Sequence, residues 1–221
     1  MMLEERTVGG LHEFLMADVL RPLLRPGARA VDLGAGSGAL AQCLMELGVD
    51  VTAADVNPSG YGARAPFVEV DLNEPDFAPR LGVERFDLGT SVEVIEHLDS
   101  PLAFLHNVRR LLAPQGAAVI TTPNVENLPA RVKFLLTARL RMMDGAGDPT
   151  HISPIFFDLF GRRHLPRAGL RLARHLLYPA NGYKATRARY AWIFRVASAL
   201  FPGEAMVGDS HVFVLRPGDP V

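Results

Sequence analysis

The sequence predicts an α/β fold, a doubly wound and mainly parallel sheet with helices on both faces. Two observations carry this. Strand-like apolar runs and helix-like segments alternate along residues 28–122; parallel sheets need that order, because each crossover takes a helix. The first strand (Ala28 to Leu33) runs through Gly34, Gly36 and Gly38 into an apolar helix (Ala39 to Leu47). Glycine tolerates positive φ and lets a ligand approach the backbone, and the first amides of a helix favour electron-rich groups. Such a turn at the carboxyl edge of a sheet reads as a cofactor cradle.

The elements follow in order. Leu11, Leu15, Val19 and Leu23 lie near helical spacing, so residues 9–24 read as an amphipathic helix packed on the sheet. Pro26-Gly27 turns the chain into the first strand. A second strand, Val49 to Ala54, ends in Asp55, and a third, Pro66 to Val70, ends in Asp71-Leu72 ahead of a short helix around Glu74 to Leu81. The fourth, Phe86 to Val92, leads into Glu93-Val-Ile-Glu-His-Leu98. Ser100 as N-cap and Pro101 at the first helical position start the next helix. Gly116 precedes a fifth strand, Ala117 to Thr122. Two helical pieces follow, Leu128 to Met142 and Pro154 to Arg167, around a turn-rich Asp144 to His151. A strand (Leu170 to Tyr178), a helix (Ala188 to Leu200) and a last strand (Ser210 to Leu215) complete the chain.

At 221 residues and 48% hydrophobic content, a single domain over 1–221 is expected, with an acceptor-site or lid insert at about 125–168. The one cysteine forbids an internal disulfide, and Met1 to Gly10 lacks an apolar signal core, so a cytoplasmic protein is expected. The net charge of −1 hides an asymmetry: residues 1–130 carry a net −9 and residues 131–221 a net +8. The basic part favours an anionic partner. Nucleic acid is disfavoured, since the pI is near 6.7 and there is no aromatic-basic platform. In Ala188 to Leu200, Arg189 and Arg195 flank aromatics, which fits either peripheral membrane contact or a core-packed helix.

The glycines alone leave two readings. Gly34-x-Gly36-x-x-Ala39 with Asp55 fits a dinucleotide fingerprint, hence an NAD-dependent oxidoreductase, although no Tyr-x-x-x-Lys dyad is present. With Asp32 in front, Asp-x-Gly-x-Gly-x-Gly resembles the first motif of class I S-adenosylmethionine (SAM) methyltransferases. Asp55, Asp71-Leu72 and the Glu93 to Leu98 block then extend the resemblance over residues 28–124. The last block is similar to that of the ubiquinone-pathway O-methyltransferases and many small-molecule and glycan methyltransferases. The resemblance implies a Rossmann-like seven-stranded sheet with its last strand antiparallel, and SAM as cofactor. It implies that Asp32, Gly34, Ala35, Gly36 and Gly38 wrap the methionine part and that Asp55, with Val56, takes the ribose hydroxyls. Asp71 would bond the adenine amine, Leu72 would read the ring, and Val92 would line the site. The implied reaction is methyl transfer to a small-molecule or glycan-type acceptor, at a hydroxyl oxygen; a lipid- or phosphate-linked acceptor suits the basic second part. A non-catalytic SAM-binding module is the other alternative.

Glu93, Glu96 and His97 are spaced i, i+3, i+4, and on a helical turn they share one face. Two carboxylates and an imidazole suit a hard or borderline cation. In the ubiquinone O-methyltransferases and the small-RNA 2′-O-methyltransferases these positions bind a divalent ion, and in the latter a Thr-Pro-Asn and a later histidine accompany them. Thr122-Pro123-Asn124 and His151 occupy comparable places. Glu93, Glu96, His97 and His151 are therefore candidate ligands for Mg²⁺ or another divalent cation. Glu96 and His97 equally suit capping of the next helix or contact with acceptor. His151 first, then His97, are the candidate catalytic bases.

Overall fold

The computed structural model describes residues 7–25, 27–82, 85–145, 148–186, 188–200 and 205–219. Met1 to Arg6, Pro26, Ala146 and Gly147, on which parts of the sequence reading fall, lie outside the described residues, as does the side chain of Arg189. The described residues form a seven-stranded sheet of β1 (Arg29–Leu33), β2 (Asp50–Asp55), β3 (Phe67–Glu69), β4 (Phe86–Val92), β5 (Leu112–Pro123), β6 (Leu170–Tyr178) and β7 (Ser210–Pro217). Their order is β3-β2-β1-β4-β5-β7-β6. The first five pair in parallel, and β7 runs antiparallel to both β5 and β6.

Both faces of the sheet are buried, because successive residues of a strand point to opposite sides. On β1, Val31 and Leu33 join one apolar layer with Phe104, Leu105 and Phe213, while Ala30 joins the other with Leu11, Leu40 and Leu44. The first layer is covered by α3 (Pro101–Leu111), and the second by α1 (Leu11–Phe14) and α2 (Ala39–Glu46). The Ser100 hydroxyl accepts the Ala103 amide at 3.2 Å, so the expected N-cap forms.

Four helical expectations are corrected. Residues 11–23 do not make one α-helix: the chain widens into a π-helical stretch at Leu15–Leu20 and tightens into a 3₁₀ turn at Arg21–Leu23, where Pro22 offers no amide. Glu74 to Leu81 holds only a 3₁₀ turn, Ala78–Leu81, whose Ala78 amide is taken by the buried Asn107 side chain at 3.0 Å. The first insert helix, α4 (Leu128–Thr137), stops at Ala138 in a left-handed conformation, φ 54°. The second starts late and is broken into α5 (Phe157–Leu159), a π-helical stretch (Phe160–His164) and α6 (Leu165–Arg167). In addition, β5 begins at Leu112, with a register shift opposite Phe86 and Leu88. A Cβ on Gly116 would lie 2.9 Å from the Phe86 carbonyl oxygen. Finally, α7 (Ala188–Leu200) lies against α4. Among the described residues no helix is long and apolar enough to cross a membrane.

Candidate active site

The carboxyl ends of β1, β2 and β4 and the loop after β3 open into one cleft of about 580 Å³. It is lined by Asp32, Gly34, Ala35 and Gly36 from the first turn, Asp55 and Val56 from the second, Asp71 and Leu72 from the third, and Val92 from β4. Gly38 lies between the lining residues Ser37 and Ala39 without lining the cleft itself. Its φ of 84° begins α2, and a Cβ there would meet Ala63 at 2.6 Å and Tyr61 at 2.7 Å. Gly38 is thus needed for packing on the outer side of the turn. Gly36, at φ 53°, is the residue with open space beside it.

The first turn is held from below. The amides of Gly34 and Ala35 donate to the Ala54 carbonyl at 2.8 and 3.1 Å. The Asp55 carboxylate accepts the Gly36 amide at 2.9 Å and the Asn57 amide at 3.0 Å, so it braces the turn. Asp32 is buried at the tip of β1 and accepts the Thr90 hydroxyl at 2.7 Å. Burial pushes its pKa up to about 6, with the Thr90 bond opposing and the Asp55 charge adding to the rise. Asp71 accepts the Asn73 amide at 2.8 Å, and Asn73 in turn accepts the Asp99 amide at 2.9 Å.

The block after β4 also lines the cleft, through Glu93, Val94, His97 and Leu98. Glu96, His97 and His151 offer ligand atoms that all lie within 4.8 Å of one another. The insert is tied there by its backbone: the Ile152 and Ser153 amides both donate to the Glu96 carbonyl at 2.9 Å, and the Ser153 hydroxyl donates to Leu98 O at 2.6 Å. Glu93 does not join this cluster, a correction to the four-ligand set. The shared-face expectation assumed a helical turn, but Glu93 has φ 55° and the turn begins only at Ile95–His97. Its carboxylate instead accepts the Thr121 hydroxyl at 2.9 Å. Burial raises Glu93 to about 7.

Hydrogen bonding fixes both imidazoles in one tautomer. His151 Nδ1 lies 2.8 Å from the Met142 carbonyl, which can only accept, so the proton sits on Nδ1 and Nε2 keeps its lone pair. His97 Nδ1 lies 2.8 Å from the Thr150 hydroxyl, whose own proton goes to Asp148 at 2.5 Å. His97 therefore donates from Nδ1 and also presents an Nε2 lone pair. Burial, and then the neighbouring His151, lower the His97 pKa. Glu96 is fully buried with neither carboxylate oxygen hydrogen-bonded among the described residues. Burial, and then Glu93, hold its pKa well above the ordinary glutamate value. A buried carboxylate and two imidazoles thus lie close together, a donor set that suits a cation.

Residues 8–172 match the family model described as a methyltransferase domain. The chain belongs to the methyltransferase domain family. The ubiquinone biosynthesis O-methyltransferase of Cereibacter sphaeroides is 36% identical to it over 113 residues, 48% of this chain and 46% of that protein. The chain thus matches about half the length of the curated relatives it resembles. A SAM-dependent methyltransferase from Archaeoglobus fulgidus superimposes on this methyltransferase domain with a TM-score of 0.63 at 17% identity, over 95% of this chain and 96% of that one. The 1,6-didemethyltoxoflavin N1-methyltransferase of Burkholderia thailandensis, solved with bound 1,6-didemethyltoxoflavin and S-adenosylhomocysteine, gives a TM-score of 0.57 at 19% identity over 98% of this chain and 80% of that one. The fold is that of the Rossmann-like SAM-dependent methyltransferases, with the antiparallel last strand expected of it.

Sequence reasoning missed the side chains that hold the expected ones in place. Thr90 orients Asp32, Thr121 holds Glu93, and Asp148 with Thr150 fixes His97. Only the last pair left a local signal, the Asp-Pro-Thr-His run just before the second insert helix. Arg141 and Asp209 form a pair at 3.1 Å across 68 positions, with no local signal at all.

Proposed function

We propose that this methyltransferase domain moves the methyl group of SAM to a hydroxyl oxygen of a small-molecule acceptor. One observation carries the reading: the cleft that holds Asp32 and the glycine turn is also lined by His97, and His97 stands in a cluster with Glu96 and His151. The residues fit SAM on their own chemistry. Gly36 leaves backbone exposed to open space, where a side chain would obstruct the methionine part. Asp32, strained toward protonation by burial, gains most from an ammonium beside it. Asp55 has lone pairs left for ribose hydroxyls after bracing the turn, Asp71 would take the adenine amine, and Leu72 and Val92 would supply apolar walls. SAM brings an already activated methyl group, so the protein's part is in-line positioning and removal of the acceptor proton.

The donor set of Glu96, His97 and His151 fits a divalent cation, because a bare buried carboxylate is costly without one. Two imidazoles and one carboxylate favour a borderline ion over calcium. Such an ion would lower the pKa of an acceptor hydroxyl by Lewis acidity. Without it, the same Nε2 atoms are the bases, His151 first and His97 second. The insert at about 125–168 supplies the acceptor pocket, and its positive charge suits an anionic acceptor, a phosphate-linked or lipid-linked glycan among them. Membership of the methyltransferase family does not favour the nicotinamide alternative.

The test is calorimetric titration with S-adenosylhomocysteine, with NAD as parallel titrant, each run with added Mg²⁺ or Mn²⁺ and with EDTA. Micromolar binding of S-adenosylhomocysteine alone is expected. Methyl transfer from labelled SAM to a panel of hydroxylated acceptors then identifies the acceptor class. Binding of NAD without S-adenosylhomocysteine would overturn the reading from Asp32 onward.

A further inference from the structure

Two stretches of the basic half contain cations and no acids. Residues 127–143 hold Arg131, Lys133, Arg139 and Arg141, and residues 182–200 hold Lys184, Arg187, Arg189 and Arg195, with no Asp or Glu in either. The fold brings them together, since α7 lies against α4. Both helices turn large apolar side chains to the outside. Leu135 is 83% exposed, Leu136 75% and Trp192 65%, with Phe134, Ile193 and Val196 each more than half exposed. Arg139 and Arg195 stand exposed among them. Scattered exposed apolar residues are ordinary, but a cluster of this size on two adjacent helices marks an interaction surface.

We propose that the α4 and α7 face docks on an anionic lipid bilayer. Leucine and isoleucine side chains reach the acyl region, Trp192 and Phe134 suit the boundary where headgroups meet acyl chains, and the arginines meet anionic headgroups. A second copy of the chain suits the face poorly. A two-fold interface sets the same patch against itself; Asp144 and Asp209 already pair with Lys133 and Arg141, so the exposed Arg139 and Arg195 would face cations across it. A bilayer supplies both the apolar depth and the negative charge. The face belongs to the insert side of the molecule: Met142, five residues beyond the end of α4, carries the carbonyl that holds His151. Docking would therefore set the acceptor end of the cleft toward the lipid surface.

Trp192 is the chain's one tryptophan, so its emission reports on this face without labelling. The full chain is titrated with neutral phosphatidylcholine vesicles and with vesicles containing phosphatidylglycerol, at low and high salt. A blue shift confined to the anionic vesicles, quenched by brominated lipid and weakened by salt, is expected. Replacing Leu135 and Leu136 together by Gln should raise the half-saturating lipid concentration at least about ten-fold. Arg139→Gln and Arg195→Gln should each raise it about five-fold. All four side chains are exposed, so the variants should keep the wild-type melting temperature. Unchanged emission with anionic vesicles overturns the proposal, and so does an equal response to neutral ones. A blue shift that grows with protein concentration in the absence of lipid, together with a dimer in sedimentation equilibrium, overturns it in favour of self-association.

Discussion

His97 and His151 meet edge to face, with ring centroids 4.6 Å apart and planes at 74°. They come from positions 54 apart and are locked in the same tautomer by different partners, Thr150 for one and the Met142 carbonyl for the other. With the bare Glu96 carboxylate they form one cluster of three ligand-bearing side chains, of which His97 lines the cleft.

Thr150→Val removes the acceptor for His97 Nδ1–H and leaves the backbone turn intact. Affinity for Mn²⁺ or Zn²⁺ should fall 10- to 100-fold, the usual cost of losing a partner behind a metal-bound imidazole. Thr150→Ser should restore most of it. S-adenosylhomocysteine affinity should stay within about two-fold, since the Thr150 hydroxyl bonds His97 and Asp148 rather than Asp32, Asp55 or Asp71. Calorimetry with each titrant checks this, and an unchanged metal isotherm for the valine variant would remove the role given to Thr150.

Asp32 gives a pH signature. Burial raises it from 3.8 to about 6, so between those values the folded chain keeps a proton that the unfolded chain has lost. Its favourable contribution is fully present below 3.8 and is lost as pH rises through about 6. Asp32→Asn cannot ionise and should gain on the wild type across that window by on the order of 2–3 kcal/mol. Melting of the two unliganded proteins should differ by roughly 5–10 °C more at pH 7.5 than at pH 4. The variant should also bind S-adenosylhomocysteine at least about ten-fold more weakly. A melting difference independent of pH would contradict the burial argument.

The glycines of the first turn should separate. Gly36→Ala places a methyl group in open space at φ 53°, costing about 1 kcal/mol of stability, but intrudes on the cleft. Gly34→Ala would put its Cβ 2.4 Å from a Val94 methyl and should destabilise by several times as much. Thermal melts and S-adenosylhomocysteine titrations on both variants check the split: binding lost with stability kept at Gly36, stability lost first at Gly34.

Arg141 and Asp209 are 11% and 0% exposed at the side chain and pair at 3.1 Å. Asp209 also accepts the Ala185 amide at 2.8 Å, so it keeps a partner when the arginine goes. Arg141→Ala should cost about 3 kcal/mol, the lower end for breaking a buried pair. Because Arg141 adjoins Met142, limited proteolysis between residues 138 and 150 should accelerate in the variant. Resistance equal to wild type would mean that the insert is held elsewhere.

Where local chemistry was strong, the sequence was enough. Ser100-Pro101 set the start of α3, Phe86 to Val92 gave β4 at its true bounds, and Leu170 to Tyr178 gave β6. The tip acids Asp32, Asp55 and Asp71 were legible because each follows an apolar strand run. Glu93 was misread because spacing speaks only for a helix, and here the backbone turns left-handed first. The insert helices were drawn too long because Ala138 and Met142 adopt positive φ without glycine to announce it.

The sequence by itself determined the α/β alternation, the cofactor turn and the residue types at each strand tip. Those depend on periodicity and on glycine and proline geometry, which act within a few residues. Only the tertiary structure decided which tips share a cleft, that Gly38 packs outward, that Glu93 leaves the cluster, and that α4 and α7 lie together with large apolar side chains exposed. Each of these depends on contacts between residues tens of positions apart. Such contacts are fixed by how the sheet layers pack rather than by any local pattern.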